Sequence, residues 1–102
     1  MSFLKGAYLE GAYLYGTDLI GAKLEGAYLR GAYLERAYLN WAFLKGAKLE
    51  GAHLIGANLE GANLTGAHLE GACLTEAHLE WVDLRACLKI QPDLTIGIGL
   101  HI

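Results

Sequence analysis

Serine occurs once in the 102 residues, at Ser2, so no Ser/His/Asp relay can be assembled. The two cysteines, Cys73 and Cys87, are too few for a disulfide framework. Proline occurs once, at Pro92, and no charge-free apolar run approaches the ~20 residues that span a bilayer. Lysine and arginine are missing altogether between Glu50 and Leu84. With a formal net charge of −3, this disfavours direct contact with nucleic acid. Glycine is plentiful, yet no glycine-rich segment leads into a helix as a phosphate loop requires. These gaps argue against an enzyme, a membrane protein and a nucleotide-binding protein, and no cofactor or metal is expected. The first residues, MSFLKGAYLE, have no signal-peptide layout, so a cytoplasmic protein is expected.

Leucine is what the chain has in excess, and it is placed with strict regularity. It stands at every fifth position from Leu4 to Leu84, giving 17 consecutive five-residue units over residues 2–86. Alanine usually stands two places before each leucine, and twelve of the fourteen glycines stand two places after one. On an α-helix five residues rotate a side chain by about 500°, so successive leucines would spiral around every face. In a straight strand five is odd, and they would alternate between faces. The leucines share one core only if the chain turns by a fixed angle in each unit. An extended piece then points Ala and Leu inward, and the next two residues make the corner, where glycine tolerates positive φ. The result is a polygonal coil stacked into a solenoid, in which no coil stands without its neighbours.

The A-x-L-x-G unit, clear at Ala22/Leu24, Ala57/Leu59 and Ala62/Leu64, resembles the pentapeptide-repeat family over about five-sixths of the chain. The resemblance implies an all-β fold, a right-handed quadrilateral β-helix (a β-solenoid) of about four coils with four pentapeptides each. One internal feature agrees with four sides. Bulky residues replace the corner glycine in consecutive pairs, Arg36/Trp41 and Glu76/Trp81, and these pairs lie 40 residues apart. Forty residues are eight repeats, which four divides and three does not.

A coil of 20 residues would stack side chains about 4.8 Å apart along the solenoid. Just before leucine, the four columns read Phe3, Lys23, Phe43, Asn63, Asp83; Tyr8, Tyr28, Lys48, His68; Tyr13, Tyr33, His53, Cys73; and Asp18, Tyr38, Asn58, His78. The resemblance implies Asp or Asn here, bonded to the corner backbone, whereas the first coils carry Tyr and Phe. Two readings of the aromatics stand side by side: cross-strand packing, or a contact surface for a partner. His53 and Cys73 give only two ligands where a structural zinc site uses four. Cys73 points outward and Cys87 takes an inward alanine slot, so no bridge between them is expected.

Charge is divided along the chain. Residues 1–49 hold six Lys/Arg and four Asp/Glu; residues 50–102 hold two and seven. Glu50 is expected next to Glu70 and Glu60 next to Glu80, like charges that destabilise a sheet when directly opposed. Ordinary solvated glutamates are one reading. The other is an acidic partner surface of Glu50, Glu60, Glu70, Glu80 and Asp83. Some relatives imitate duplex DNA and engage DNA gyrase, so the resemblance admits that role, and one continuous stripe of these carboxylates would favour it. The expected function is a non-enzymatic, rigid scaffold presenting a protein-binding surface, with a DNA-mimicking modulator of an enzyme such as gyrase as the alternative.

Residues 1–86 thus form the solenoid, and residues 87–102 form an extended segment that caps it or makes a dimer. In that tail Leu94, Ile96, Ile98, Leu100 and Ile102 alternate with more polar residues. The strand either covers the last coil or pairs with another subunit. A homodimer is expected, as family members often pair through their C-terminal ends.

Overall fold

The computed structural model describes residues 3–85. Pro92, Cys87 and the tail residues Ile96, Ile98, Leu100 and Ile102 lie outside the described residues, as does the expected division after residue 86.

Each pentapeptide closes one β-turn. In the first, Ala7 N–H donates to Leu4 O at 2.9 Å across Leu4-Lys5-Gly6-Ala7. Gly6, third in that turn, has φ 68°, and the residue before it is not left-handed. Positive φ at the third position alone is the signature of a type II turn, and it selects glycine. The turn redirects the chain, the next three residues run extended, and the cycle repeats.

Four such turns return the chain over its starting point. Among the described residues, thirteen parallel bridges each join residues twenty apart, from Phe3–Lys23 to Asn63–Asp83. They fall into four columns, so the coil is four-sided with one pentapeptide per side. At each bridge the backbone bonds in both directions: Tyr28 N–H donates to Ala7 O, and Tyr28 O accepts from Leu9 N–H, both at 2.8 Å. The corner adds a third bond between coils, as from Gly6 N–H to Glu25 O at 2.9 Å. Among the described residues the pairing is confined to single-residue bridges, because each side is too short for a longer ladder.

The inward slots hold Ala and Leu from Ala22 to Leu79, nearly all of them sealed from solvent, with Val82 replacing alanine in the last described coil. No buried residue is polar or charged among those described. Leu4, Leu9, Leu14 and Leu84 are only partly covered, each lying in a terminal described coil. Thr17 occupies an alanine slot in the first of these coils, where its Oγ1 donates to Leu14 O at 2.7 Å and so satisfies itself locally. No helix among the described residues is long and apolar enough to cross a membrane.

Among the described residues, the four corners without glycine keep the glycine geometry. Arg36, Trp41, Glu76 and Trp81 have φ of 56°, 59°, 60° and 61°. Left-handed backbone costs a residue with a Cβ about 1–2 kcal/mol. At two corners a compensating contact is visible: the large side chain leans over the glycine one coil further on. A Cβ on Gly61 would fall 2.2 Å from two ring carbons of Trp41, and one on Gly56 would fall 3.3 Å from Arg36 Cγ. Trp41 therefore packs on the corner of its own solenoid.

Candidate functional surface

With the interior closed by Ala and Leu, the charged, histidine, cysteine and tyrosine side chains of the described residues stand on the outer sides. The columns can be followed side by side. Phe3 begins the first side, Tyr8 the second, Tyr13 the third and Asp18 the fourth.

On the second side Tyr8 stacks on Tyr28 with ring centroids 4.8 Å apart and planes 12° apart. Lys48 continues the column by laying its Nζ 4.8 Å from the Tyr28 ring centroid. On the third side Tyr13, Tyr33 and His53 stack at 5.0 and 4.6 Å, and Tyr15 flanks them at 5.8 Å from Tyr33. Lys23 sits 4.4 Å over Phe43 on the first side. Cross-strand packing is thus present in the aromatic columns. It leaves the first ring of each column bare: Phe3, Tyr8 and Tyr13 are 77%, 78% and 75% exposed. Tyr15 and Trp41 are also exposed, so the aromatic surface spreads beyond the columns.

Where Asp or Asn precedes leucine, its Oδ1 accepts from the corner amide two residues on. This occurs at Asp18–Ile20, Asn58–Glu60, Asn63–Thr65 and Asp83–Arg85, at 3.1, 3.2, 2.9 and 3.0 Å. These are Asx turns built onto type II corners. Cys73 stands in the same slot with its Sγ 3.4 Å from Thr75 Oγ1. That hydrogen bond and the Thr75 backbone draw the thiol below its usual range.

The five acidic candidates do not come together. Glu50 and Glu70 share the second side, and Glu60 and Glu80 share the fourth, half a coil away. Asp83 lies on the first side and is taken up by Arg85, whose Nη2 is 2.7 Å from Asp83 Oδ2. Hydrogen bonds from the Arg85 side chain and backbone lower the Asp83 carboxyl to about 2. There is therefore no single stripe through all four glutamates. Glu50 is also less bare than its column suggests. Arg30, one coil earlier, places its Nε 3.3 Å from Glu50 Oε1. Arg30, Glu50 and Glu70 follow one another at 20-residue steps, so a cation precedes the like-charged pair in its column.

A second grouping also escaped the sequence reading. Glu50, His68 and Glu70 offer three ligand atoms that lie within 4.8 Å of one another, on half-buried side chains. Its signal is a histidine two places before a glutamate, with another glutamate exactly one coil earlier, legible once the 20-residue return is known.

A family model described as pentapeptide repeats matches residues 2–31, 12–51 and 44–80. The chain belongs to the pentapeptide-repeat family. Members of this family form right-handed quadrilateral β-helices, in agreement with the four columns, and are generally structural or interaction proteins. Among solved structures, the chain is similar to a pentapeptide-repeat protein, Rfr23, of the cyanobacterium Cyanothece. The two are 36% identical with a TM-score of 0.72, over 88% of this chain and 60% of that one. It is also similar to a pentapeptide-repeat protein of the Arabidopsis thaliana thylakoid lumen, at 33% identity and TM-score 0.54, over 82% of this chain and 69% of that one. The chain thus spans 60% of the length of its cyanobacterial relative. A plasmid-mediated fluoroquinolone resistance protein, QnrB1, matches at 21% identity and TM-score 0.29, over 79% of this chain and 47% of that one. That likeness is too weak to carry a functional argument. No curated protein sequence gives a significant match.

Proposed function

We propose that this pentapeptide-repeat protein is a rigid, non-enzymatic scaffold of just over four coils whose outer sides bind a protein partner. One observation carries the reading: the exposed aromatic columns of the first coils, on the adjacent second and third sides, are backed by an interior in which no buried residue among those described is polar or charged. Such a core offers no chemistry, and its uniformity leaves recognition to the outer residues. Stacked tyrosines are rigid and amphipathic, and tyrosine is enriched where proteins meet. Acidic imitation of duplex DNA is the weaker reading, because the carboxylates divide between opposite sides and Asp83 is already paired. A cytoplasmic location and a homodimer joined through the tail belong to the same proposal.

The test uses the immobilised protein and two variants. Tyr13→Ser/Tyr15→Ser should release a captured partner that wild type retains, while Glu60→Gln/Glu80→Gln should retain it, with all three melting alike. Equal retention by the tyrosine variant would overturn the assignment of the surface. A supercoiling assay with gyrase should show no effect at micromolar protein, and inhibition there would restore the mimic.

A further inference from the structure

We propose that Glu50, His68 and Glu70 form a site for a divalent transition-metal ion of the zinc class. Glu50 and Glu70 occupy the same slot in consecutive coils, and His68 stands two residues before Glu70 on the same side. Their ligand atoms all lie within 4.8 Å of one another. The side chains of His68 and Glu70 are 30% and 32% exposed, so they are anchored but retain rotamer freedom. Zinc holds carboxylate oxygen and imidazole nitrogen at ~2.0–2.2 Å, which sets ligands roughly 3–4 Å apart. Closing this group from 4.8 Å needs a movement of about 1 Å by partly exposed side chains. One nitrogen and two oxygens suit zinc and its neighbours better than calcium or magnesium, and a fourth position stays open to water.

A second observation concerns the charge that this spacing brings together. Oε1 is shut off from solvent without a hydrogen bond at Glu25, Glu35, Glu50 and Glu70, but only Glu50 and Glu70 bring two such oxygens together in consecutive coils. Two stacked carboxylates with desolvated oxygens repel unless a positive charge lies between them. The charged groups nearby supply only part of it. Arg30 approaches Glu50 from the coil before, at 3.3 Å. Lys48, next to Glu50 in the fold, instead directs its Nζ onto the Tyr28 ring. His68 Nδ1 lies 3.9 Å from Glu70 Oε2, close enough for both to turn to one ion.

The fourth side provides an internal control. Glu60, His78 and Glu80 repeat the spacing of Glu50, His68 and Glu70, yet their ligand atoms are not gathered into such a group. Their carboxylate oxygens are also not among the buried, unpartnered ones. Spacing alone therefore does not create the cluster.

The experiment is a calorimetric titration of the full chain, stripped with EDTA, against Zn2+, with melting followed in parallel. One Zn2+ should bind per site with an affinity in the micromolar range, and the melting temperature should rise. His68→Asn should weaken binding by about tenfold or more. Asparagine in that slot makes the corner bond seen at Asn58 and Asn63, so this variant keeps its coil. Glu70→Gln should weaken binding likewise, and Glu80→Gln should leave it unchanged. Arg30→Gln should tighten it, since the arginine competes with the ion for Glu50. Absence of binding up to about 100 µM Zn2+ overturns the site. So does binding that survives both His68→Asn and Glu70→Gln, which would mark ligands elsewhere on the chain.

Discussion

Gly61→Ala tests whether Trp41 is part of the solenoid's packing or an appendage to it. Two effects act at this position. The first is backbone strain: φ is +69° at Gly61, which costs alanine about 1–2 kcal/mol. The second is steric, because the new Cβ would fall 2.2 Å from Trp41 Cε3 and Cζ3, far inside contact distance. The indole must swing away. Trp41 is 57% exposed, so the rest of its surface is at stake. That is about 90 Å² of a side chain that can bury ~200 Å², or about 2 kcal/mol at ~25 cal/mol per Å². Gly46 is the control, with the same φ of +69° and no atom within 4 Å of an added Cβ. Urea denaturation followed by circular dichroism should give about 1–2 kcal/mol of destabilisation for Gly46→Ala and about 3–4 kcal/mol for Gly61→Ala. In a Trp41→Gly background, Gly61→Ala should fall back to the control value, a coupling of about 2 kcal/mol. Single-variant costs within about 0.5 kcal/mol of each other, with no coupling, would refute the packing role.

Leu54 is 1% exposed, so Leu54→Lys buries an unpaired charge and should abolish the β-type circular dichroism; a retained spectrum with unchanged melting would refute the inward register. Leu54→Ala should leave the fold and cost about 2–5 kcal/mol by denaturation. Asn63→Ala removes the acceptor for Thr65 N–H at 2.9 Å and should cost about 1 kcal/mol in the same assay. The Asp83 carboxyl is lowered to about 2 by Arg85, below its unfolded value, so the pair stabilises above pH ~4 and is lost as pH falls toward ~2. Any difference in melting temperature between wild type and Asp83→Asn at pH 6 should therefore close on acidification to pH ~2. Light scattering should return twice the 11.0 kDa chain mass, and the chain mass alone at high concentration would overturn the dimer.

The interior was legible from the first reading because one physical requirement governs it. A leucine every five residues shares a core only in a chain that turns at each repeat, and glycine at the turn implies positive φ. The pairs Arg36/Trp41 and Glu76/Trp81, 40 residues apart, pointed to four sides, and the bridges return after twenty residues. What escaped lies in side-chain direction, which period alone does not carry. Arg30 reaching Glu50, and Trp41 lying over Gly61, depend on how long side chains bend along the axis. The division of the four glutamates between opposite sides follows from the 20-residue return, but the total charge of a segment hides it. Glu50, His68 and Glu70 are not legible as a group within a single column, as His53 and Cys73 are, because His68 stands before its leucine and the two glutamates after theirs.

The core repeats every five residues, whereas the outer columns repeat every twenty, and this mismatch bears on how such a surface can change. Excising one unit, for example residues 22–26, leaves every remaining leucine pointing inward and every corner intact. Yet each later residue moves a quarter turn relative to the first coil: Tyr33 would pair with Tyr8, Tyr38 with Tyr13, and Phe43 with Asp18. Gain or loss of a single pentapeptide is therefore a rotation of the exterior at nearly constant interior. Whole new faces come within reach of one genetic event, without any substitution in the residues that hold the chain together.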